Sequence, residues 1–317
     1  MALRIPFDES FWKDYLSGQE AKLPILPEID NVTDRVIRIL GDNPGSMQLQ
    51  GTNTYIIGTG RSRILIDTAQ GMPAWINRIG KVLDKRNLEL TYILVTHWHG
   101  DHTGGIPDLI SYNQRYASRV YKAQPDPGQK PIIDGQTFHV EGATVRAVFT
   151  PGHAVDHMSF VLEEEQAMLT GDNVLGHGFS VVQDLGAYMR SLDRMVAEEC
   201  RTGYPAHGAK ILDLPLKMRE YIRHKEFRIQ QVYTALLRSS RERHGNETGT
   251  GLTIYEIVHA IYGTVPADLA EKAMEPLLTQ VLWKLAEDKK VGFQMANRKK
   301  RWFATSHKAG DEVLAVT

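Results

Sequence analysis

A single cysteine, Cys200, stands among the 317 residues. That excludes an internal disulfide framework and a zinc site built on thiolates. Long apolar runs are also missing: no stretch approaches the ~20 apolar residues of a membrane span. The opening MALRIPFDESFW carries neither a charged-then-apolar export pattern nor an Arg/Ser-rich transit pattern, so the expected location is the cytoplasm. Net charge is nearly absent, with 37 basic against 38 acidic residues. The chain as a whole therefore has no long-range attraction to nucleic acid or an anionic membrane. Internal repeats and low-complexity tracts are lacking too. Hydrophobic residues at 42% and charged residues at 24% are ordinary for a globular chain.

The twelve histidines are what the sequence does have, and their placement is informative. Thr52–Ile57 and Ile64–Asp67 read as β-runs joined by a tight turn. Pro73 opens a stretch in which Trp75, Ile79 and Val82 recur at helical spacing. Tyr92–Val95 is a short β-run ending in Thr-His-Trp-His-Gly-Asp-His-Thr-Gly-Gly. Residues 111–140, rich in Pro, Gly and Gln, read as surface loops. Val145–Phe149 ends in Pro-Gly-His, and Met168–Thr170 runs into Gly-Asp. Strands that repeatedly end in His or Asp point to an α/β sandwich with its site at the strand ends. Beyond about residue 213 the pattern changes. Pro215 suits a first helical turn, and Thr253-x-x-Glu256 is a capping box. Pro276 opens a further helix. Val291–Phe293 and Arg301–Phe303 flank a basic turn, as in a winged-helix module. The expected division is a lead-in over 1–30, a sandwich domain over 31–215 and a helical, winged-helix-like region over 216–317.

His97, His99, Asp101 and His102 place four candidate ligands in six residues. Alternate residues of an extended segment point the same way, so His97 and His99 can share one metal. Gly100 lets the chain turn, so Asp101 and His102 can face a second. Imidazole and carboxylate suit zinc; manganese and iron also accept them. His153, Asp172 and His207 each add one ligand-type residue after a β-run or in a turn. His157, in Asp-His four residues past His153, reads as a bracing or substrate-facing group. His177, in a Gly-rich loop after Asp172, is a weaker substrate-contact candidate. Asn53 and Trp98 read as turn and loop supports, and Tyr188 as helix packing.

This spacing resembles the metallo-β-lactamase superfamily over roughly residues 30–215. The resemblance implies an αββα sandwich and two zinc ions. It implies one ion on His97, His99 and His153 and another on Asp101, His102 and His207, with Asp172 between them. Asp67, in Ile-Asp-Thr-Ala, would orient the ligand loop; Ala69 stands where relatives usually have Gly, as does Ala206. Two zincs sharing a water make hydroxide available near neutral pH, with Asp101 as the catalytic residue that orients it. GTNTYIIGTG, THWHGDHTGG, PGHAVDHMSF, TGDNVLG and the tail resemble the lactamase-beta-like protein 2 group, which includes an endoribonuclease. The opening MALRIPFDESFWKDYLSGQ and residues 35–110 more specifically resemble fungal atrochrysone carboxyl acyl-carrier-protein thioesterases. That implies hydrolysis of the thioester between an aromatic polyketide and the acyl carrier protein of a non-reducing polyketide synthase. The alternative is a zinc-dependent endoribonuclease with RNA as partner. Eight basic residues between Lys284 and Lys308 suit carrier docking, RNA binding or a plain solvated turn.

Overall fold

The computed structural model describes residues 23–242 and 251–305. These divide into two compact units, 23–222 and 223–305.

In the first unit, seven strands form one sheet in the order β1 to β7: Ile29–Asn31, Val36–Leu40, Asn53–Ile57, Ser62–Ile66, Glu89–Leu94, Val120–Lys122 and Lys130–Pro131. A second sheet has the order β12-β11-β10-β9-β8: Thr202–Pro205, Ala167–Gly171, Met158–Leu162, Ala143–Phe149 and Thr137–Val140. The two-residue period of these strands explains the layering. Val36, Tyr55, Ile57, Ile64, Ile66 and Leu94 face Val145, Phe160, Leu162 and Leu169 across the space between the sheets. The intervening residues Ile37, Ile39, Ile56, Leu65 and Ile93 face outward onto α1, Pro73–Arg86, through Trp75, Ile79 and Leu83. β3, β10 and β11 are buried at every position. That is why their sequences show no strict alternation of apolar and polar residues. On the outer face of the second sheet, Ser159 meets Met195 of α4, the helix Leu185–Ala197. Between α1 and α4 lie α2, Gly100–Thr103, and α3, Ile106–Tyr112.

Residues 111–140 are more ordered than their composition suggests: a 3₁₀ turn and β6 to β8 lie within them. β6 and β7 span three and two residues at the sheet edge. Pieces that short carry no periodicity, and Pro131 is tolerated because an edge strand needs no donor there.

β4 and β5 run parallel, and β9, β11 and β12 share one direction. The carboxyl ends of all five deliver Asp67, His97, His153, Asp172 and His207. The sheets are stitched at this edge: Asn53 N–H donates to Ala206 O at 2.6 Å and Met158 N–H to Thr96 O at 2.8 Å.

The helix α5, Leu214–Glu242, begins in the first unit and continues in the second. Residues 243–250, which follow it, lie outside the described residues. The second unit adds α6, Ile254–Tyr262, opened by the Thr253/Glu256 capping box, and α7, Glu275–Glu287. A hairpin of β13, Val291–Ala296, and β14, Lys299–Ala304, completes the winged-helix-like region. Its core is aliphatic, with Val258, Leu278, Val281, Leu282 and Leu285 buried, and it closes on one aromatic: Trp302 is fully buried against Trp283 and Phe293.

Candidate metal centre

The ligand loop is held before any ion is considered. Asp67, just past β4, has the left-handed φ of 60°, a conformation costly for a residue with a Cβ. It persists because both carboxylate oxygens are committed. Oδ1 accepts the Thr96 N–H at 2.8 Å, and Oδ2 accepts the Thr96 hydroxyl at 2.9 Å and His102 Nδ1–H at 2.8 Å. Thr96 Oγ1 has then spent its proton, so it accepts from His97 Nδ1 at 2.9 Å. The Nε2 lone pairs of both His97 and His102 are thereby aimed inward. His153 is fixed in the same way: Nδ1–H donates to Val181 O at 2.7 Å. Gly105 is obligatory here, because a Cβ would collide with Thr68 O and the Trp75 ring. Gly100 is not: a Cβ there meets nothing, and the turn is made by α2 starting at this residue.

Two groups of donors result, each with its ligand atoms within 4.8 Å of one another: His97, His99, His153 and Asp172, and Asp101, His102 and His207. In the first, His99 Nδ1 lies 2.8 Å from His97 Nε2 and 3.0 Å from His153 Nε2. Burial and the neighbouring imidazoles hold His97 well below its ordinary pKa and take His99 down to about 4. Three neutral rings presenting lone pairs to one point is the arrangement a divalent cation satisfies. In the second group the balance is reversed. Burial disfavours charge on His207, but Asp172 and Asp101 override it and raise its pKa to about 9. His102 is likewise raised by Asp172, Asp101 and Asp67 against its burial.

Asp172 faces both groups. Its Oδ2 is 3.3 Å from His153 Nε2 and 3.5 Å from His102 Nε2, and its Oδ1 is 3.2 Å from His207 Nε2. Despite that proximity, His102 Nε2, His207 Nε2 and Asp172 Oδ1 are buried with no hydrogen-bond partner. Buried polar atoms left so within one cluster are what a bound cation would satisfy. The seven residues therefore fit a metal site and could hold one or two ions.

The remaining sequence candidates separate. His157 is fully buried. Its Nε2 accepts the Asp172 N–H at 3.1 Å while Nδ1 meets Thr150 Oγ1 at 3.0 Å. It braces Asp172 and does not face solvent. His177 is half-buried on the loop after Asp172, and its ring makes no hydrogen bond among the described residues. Tyr188 packs, its hydroxyl donating to Asn173 O. Asn53 does more than shape a turn. Its amide donates to Pro205 O and Gly208 O at 2.9 and 2.8 Å and so clasps the His207 loop. Gln48, whose amide donates to Asp101 Oδ2 at 3.2 Å, carries no sequence signal, since it sits in a loop with no spacing relation to the ligands. Thr96 had one, as the polar residue between a buried strand and the first ligand.

Residues 48–207 match the sequence profile of the Metallo-beta-lactamase superfamily. The chain belongs to the metallo-beta-lactamase superfamily. As a member of that superfamily it is a metal-binding hydrolase. It is 60% identical to the lactamase-like protein aptB of Emericella nidulans, over 97% of this chain and 99% of that one. Identity to the lactamase-like protein adaB of Aspergillus niger is also 60%, over 99% of both chains. A crystal structure of a beta-lactamase domain protein from Burkholderia ambifaria superposes with a TM-score of 0.70 at 16% identity, covering 90% of this chain and 98% of that one. A metallo-beta-lactamase family protein from Thermus thermophilus gives 0.60 at 21% identity, over 86% of this chain and all of the other. These two share the fold. No helix among the described residues is long and apolar enough to cross a membrane.

Proposed function

We infer that this superfamily member is a dinuclear zinc thioesterase of the cytosol. It releases an aromatic polyketide from the acyl carrier protein of a separate, non-reducing polyketide synthase. One observation carries the choice of a carbonyl over a phosphodiester. Among the described residues, none of the hydrogen-bonding or ion-pair partners of the seven-residue cluster is a lysine or arginine. A phosphodiester brings a negative charge that such a site gives no lysine or arginine to meet. A thioester is neutral, and its thiol leaving group, with a pKa of about 8.5, departs with little protonation.

When bound, zinc would supply a lowered water pKa and polarisation of the thioester carbonyl. The chain's own residues do the rest. His97, His99 and His153 would hold one ion, and Asp101, His102 and His207 the other, with Asp172 between. Burial would raise the Asp101 carboxyl, but His102 and His207 hold it below its ordinary range, so it remains a carboxylate that can orient the nucleophile. Gln48 fixes one of its oxygens. Asp67 and His157 hold the ligand loop and Asp172 in register. The endoribonuclease reading rests on a different observation, the exposed cations Lys289 and Lys290 at the open end of the hairpin and Arg298 and Lys299 at its turn. The other cations of this stretch are engaged: Lys284 of α7 pairs with Asp288, Arg301 with Glu256, and Lys300 lies over Trp283. Lys308 lies outside the described residues.

The test is release of acid from a polyketide-loaded carrier protein, run beside zinc-depleted enzyme and Asp101→Ala, with single-stranded RNA offered to the same preparations. Metal-dependent thioester cleavage that the variant loses, with intact RNA, is the expected result. Metal-dependent RNA cleavage with an untouched thioester overturns it.

A further inference from the structure

Single apolar side chains on a surface need no explanation, whereas a group around one point does. Four large apolar residues are exposed on the loops that carry or brace His99 and His153: Trp98 at 38%, Val155 at 43%, Phe179 at 44% and Val181 at 38%. Trp98 lies between His97 and His99, its ring edge-on to His99 with centroids 4.5 Å apart. Val155 is on the turn between His153 and His157. Val181 supplies the carbonyl that holds His153 Nδ1 at 2.7 Å, and the His99 and His153 rings are themselves 4.8 Å apart. Trp98 and Val181 therefore adjoin the same pair of imidazoles.

The loop bearing Phe179 and Val181 is fixed, not loose. The Tyr221 hydroxyl accepts the Leu175 N–H at 3.0 Å and donates to Gly178 O at 2.9 Å. The Phe179 ring rests on Tyr221, centroids 4.9 Å apart, with the Lys217 ammonium 5.9 Å from its centre. Trp98 is tied through its backbone, N–H to Asp156 Oδ1 at 3.4 Å, and part of the residue stays exposed to water. Rigid flat side chains exposed to water beside a polar centre are an apolar seat prepared in advance.

We propose that Trp98, Val155, Phe179 and Val181 form the acyl-recognition rim of the metal centre, seating a flat, apolar aryl-acyl group against the His99/His153 side. This rests on the thioesterase reading and adds the side chains that set its selectivity. A short or charged acyl group would leave the rim wet and gain nothing from it. The aryl group would remove apolar surface from water on both partners.

The experiment compares S-pantetheine thioesters of 2-naphthoate and acetate on zinc-loaded enzyme, each rate divided by that ester's hydroxide-catalysed rate. A non-hydrolysable naphthyl thioether is titrated by calorimetry in parallel. The expected normalised kcat/KM favours naphthoyl by about tenfold or more. Trp98→Ala and Phe179→Ala each reduce that ratio severalfold, mostly through KM, and weaken thioether binding. Phe179→Leu, which keeps bulk without the flat ring, falls between. Thioester cleavage with a ratio near one, and thioether binding unchanged in the variants, overturns the rim while the thioesterase reading stands. Thioether binding that depends on Phe179, with both thioesters left intact, supports the rim and sinks the thioesterase reading.

Discussion

The two compact units bury different things. In 23–222, buried Asp67, His97, His102, His157 and Asp172 lie at the strand ends, along one edge of the apolar sheets. The second unit buries aliphatic side chains around Trp302, and among the described residues Lys225 is its one buried cation. Burying polar groups is costly unless each has a partner, and a protein keeps such a cluster where chemistry is done. An apolar core serves cohesion. So the same kind of measurement should separate the units: removing a side chain from the first should cost metal and activity, and from the second, stability.

The largest effect is expected for Asp172→Ala. It removes the carboxylate shared by His102, His153 and His207. Breaking a buried charge pairing costs about 3–5 kcal/mol, or roughly two to three and a half orders of magnitude in an equilibrium constant. Metal content after dialysis, and thioester hydrolysis, should fall together by that order. Normal metal content would show that Asp172 is no ligand. Trp302→Ala tests the other unit. Truncating a fully buried tryptophan costs about 3–5 kcal/mol, read as a loss in urea-unfolding free energy. Metal content of the folded fraction should not change. If the metal is lost as well, the contrast between the units fails.

The site is legible because each ligand lies beside a strand end, and strand ends announce themselves in short apolar runs. His97, His99, Asp101 and His102 also share one segment, so local spacing brings them together. What spacing does not show is partnership across the fold. Asn53 reads as a turn residue, yet its contacts are more than 150 positions away, on Pro205 and Gly208. Gln48 reaches Asp101 from a loop of no particular pattern. The two Ala-for-Gly positions part ways for a similar reason. Ala69 adopts φ 53° and carries the strain a glycine would avoid, about 1–2 kcal/mol. Ala206 is not among the left-handed residues and needs no glycine. Sequence marks both as departures; only backbone geometry tells them apart. Trp98 reads as loop support, and its N–H does serve that, but ring exposure depends on packing that composition does not encode.

The smallest effect concerns charge in the second unit and sharpens the contrast from the other side. Burial disfavours the Glu256 carboxylate slightly, but the Thr253 N–H at 2.7 Å and Arg301 at 2.9 Å stabilise it, so its pKa lies below the ordinary value. A carboxylate with a depressed folded-state pKa contributes stability above its unfolded pKa and loses it as pH falls through the folded one. The loss therefore belongs to the acid side, below the ordinary carboxylate range near 4.3. Because the pair is solvent-exposed, the whole contribution is about 0.5 kcal/mol. Glu256→Gln should lower the urea midpoint slightly at pH 7 and leave it equal to wild type at about pH 3. The difference should shrink in 1 M salt, where exposed charges are screened. A difference that survives at pH 3 would mean the side chain acts by packing. A difference that includes metal loss at pH 7 would mean that the charge of the second unit reaches the chemistry of the first.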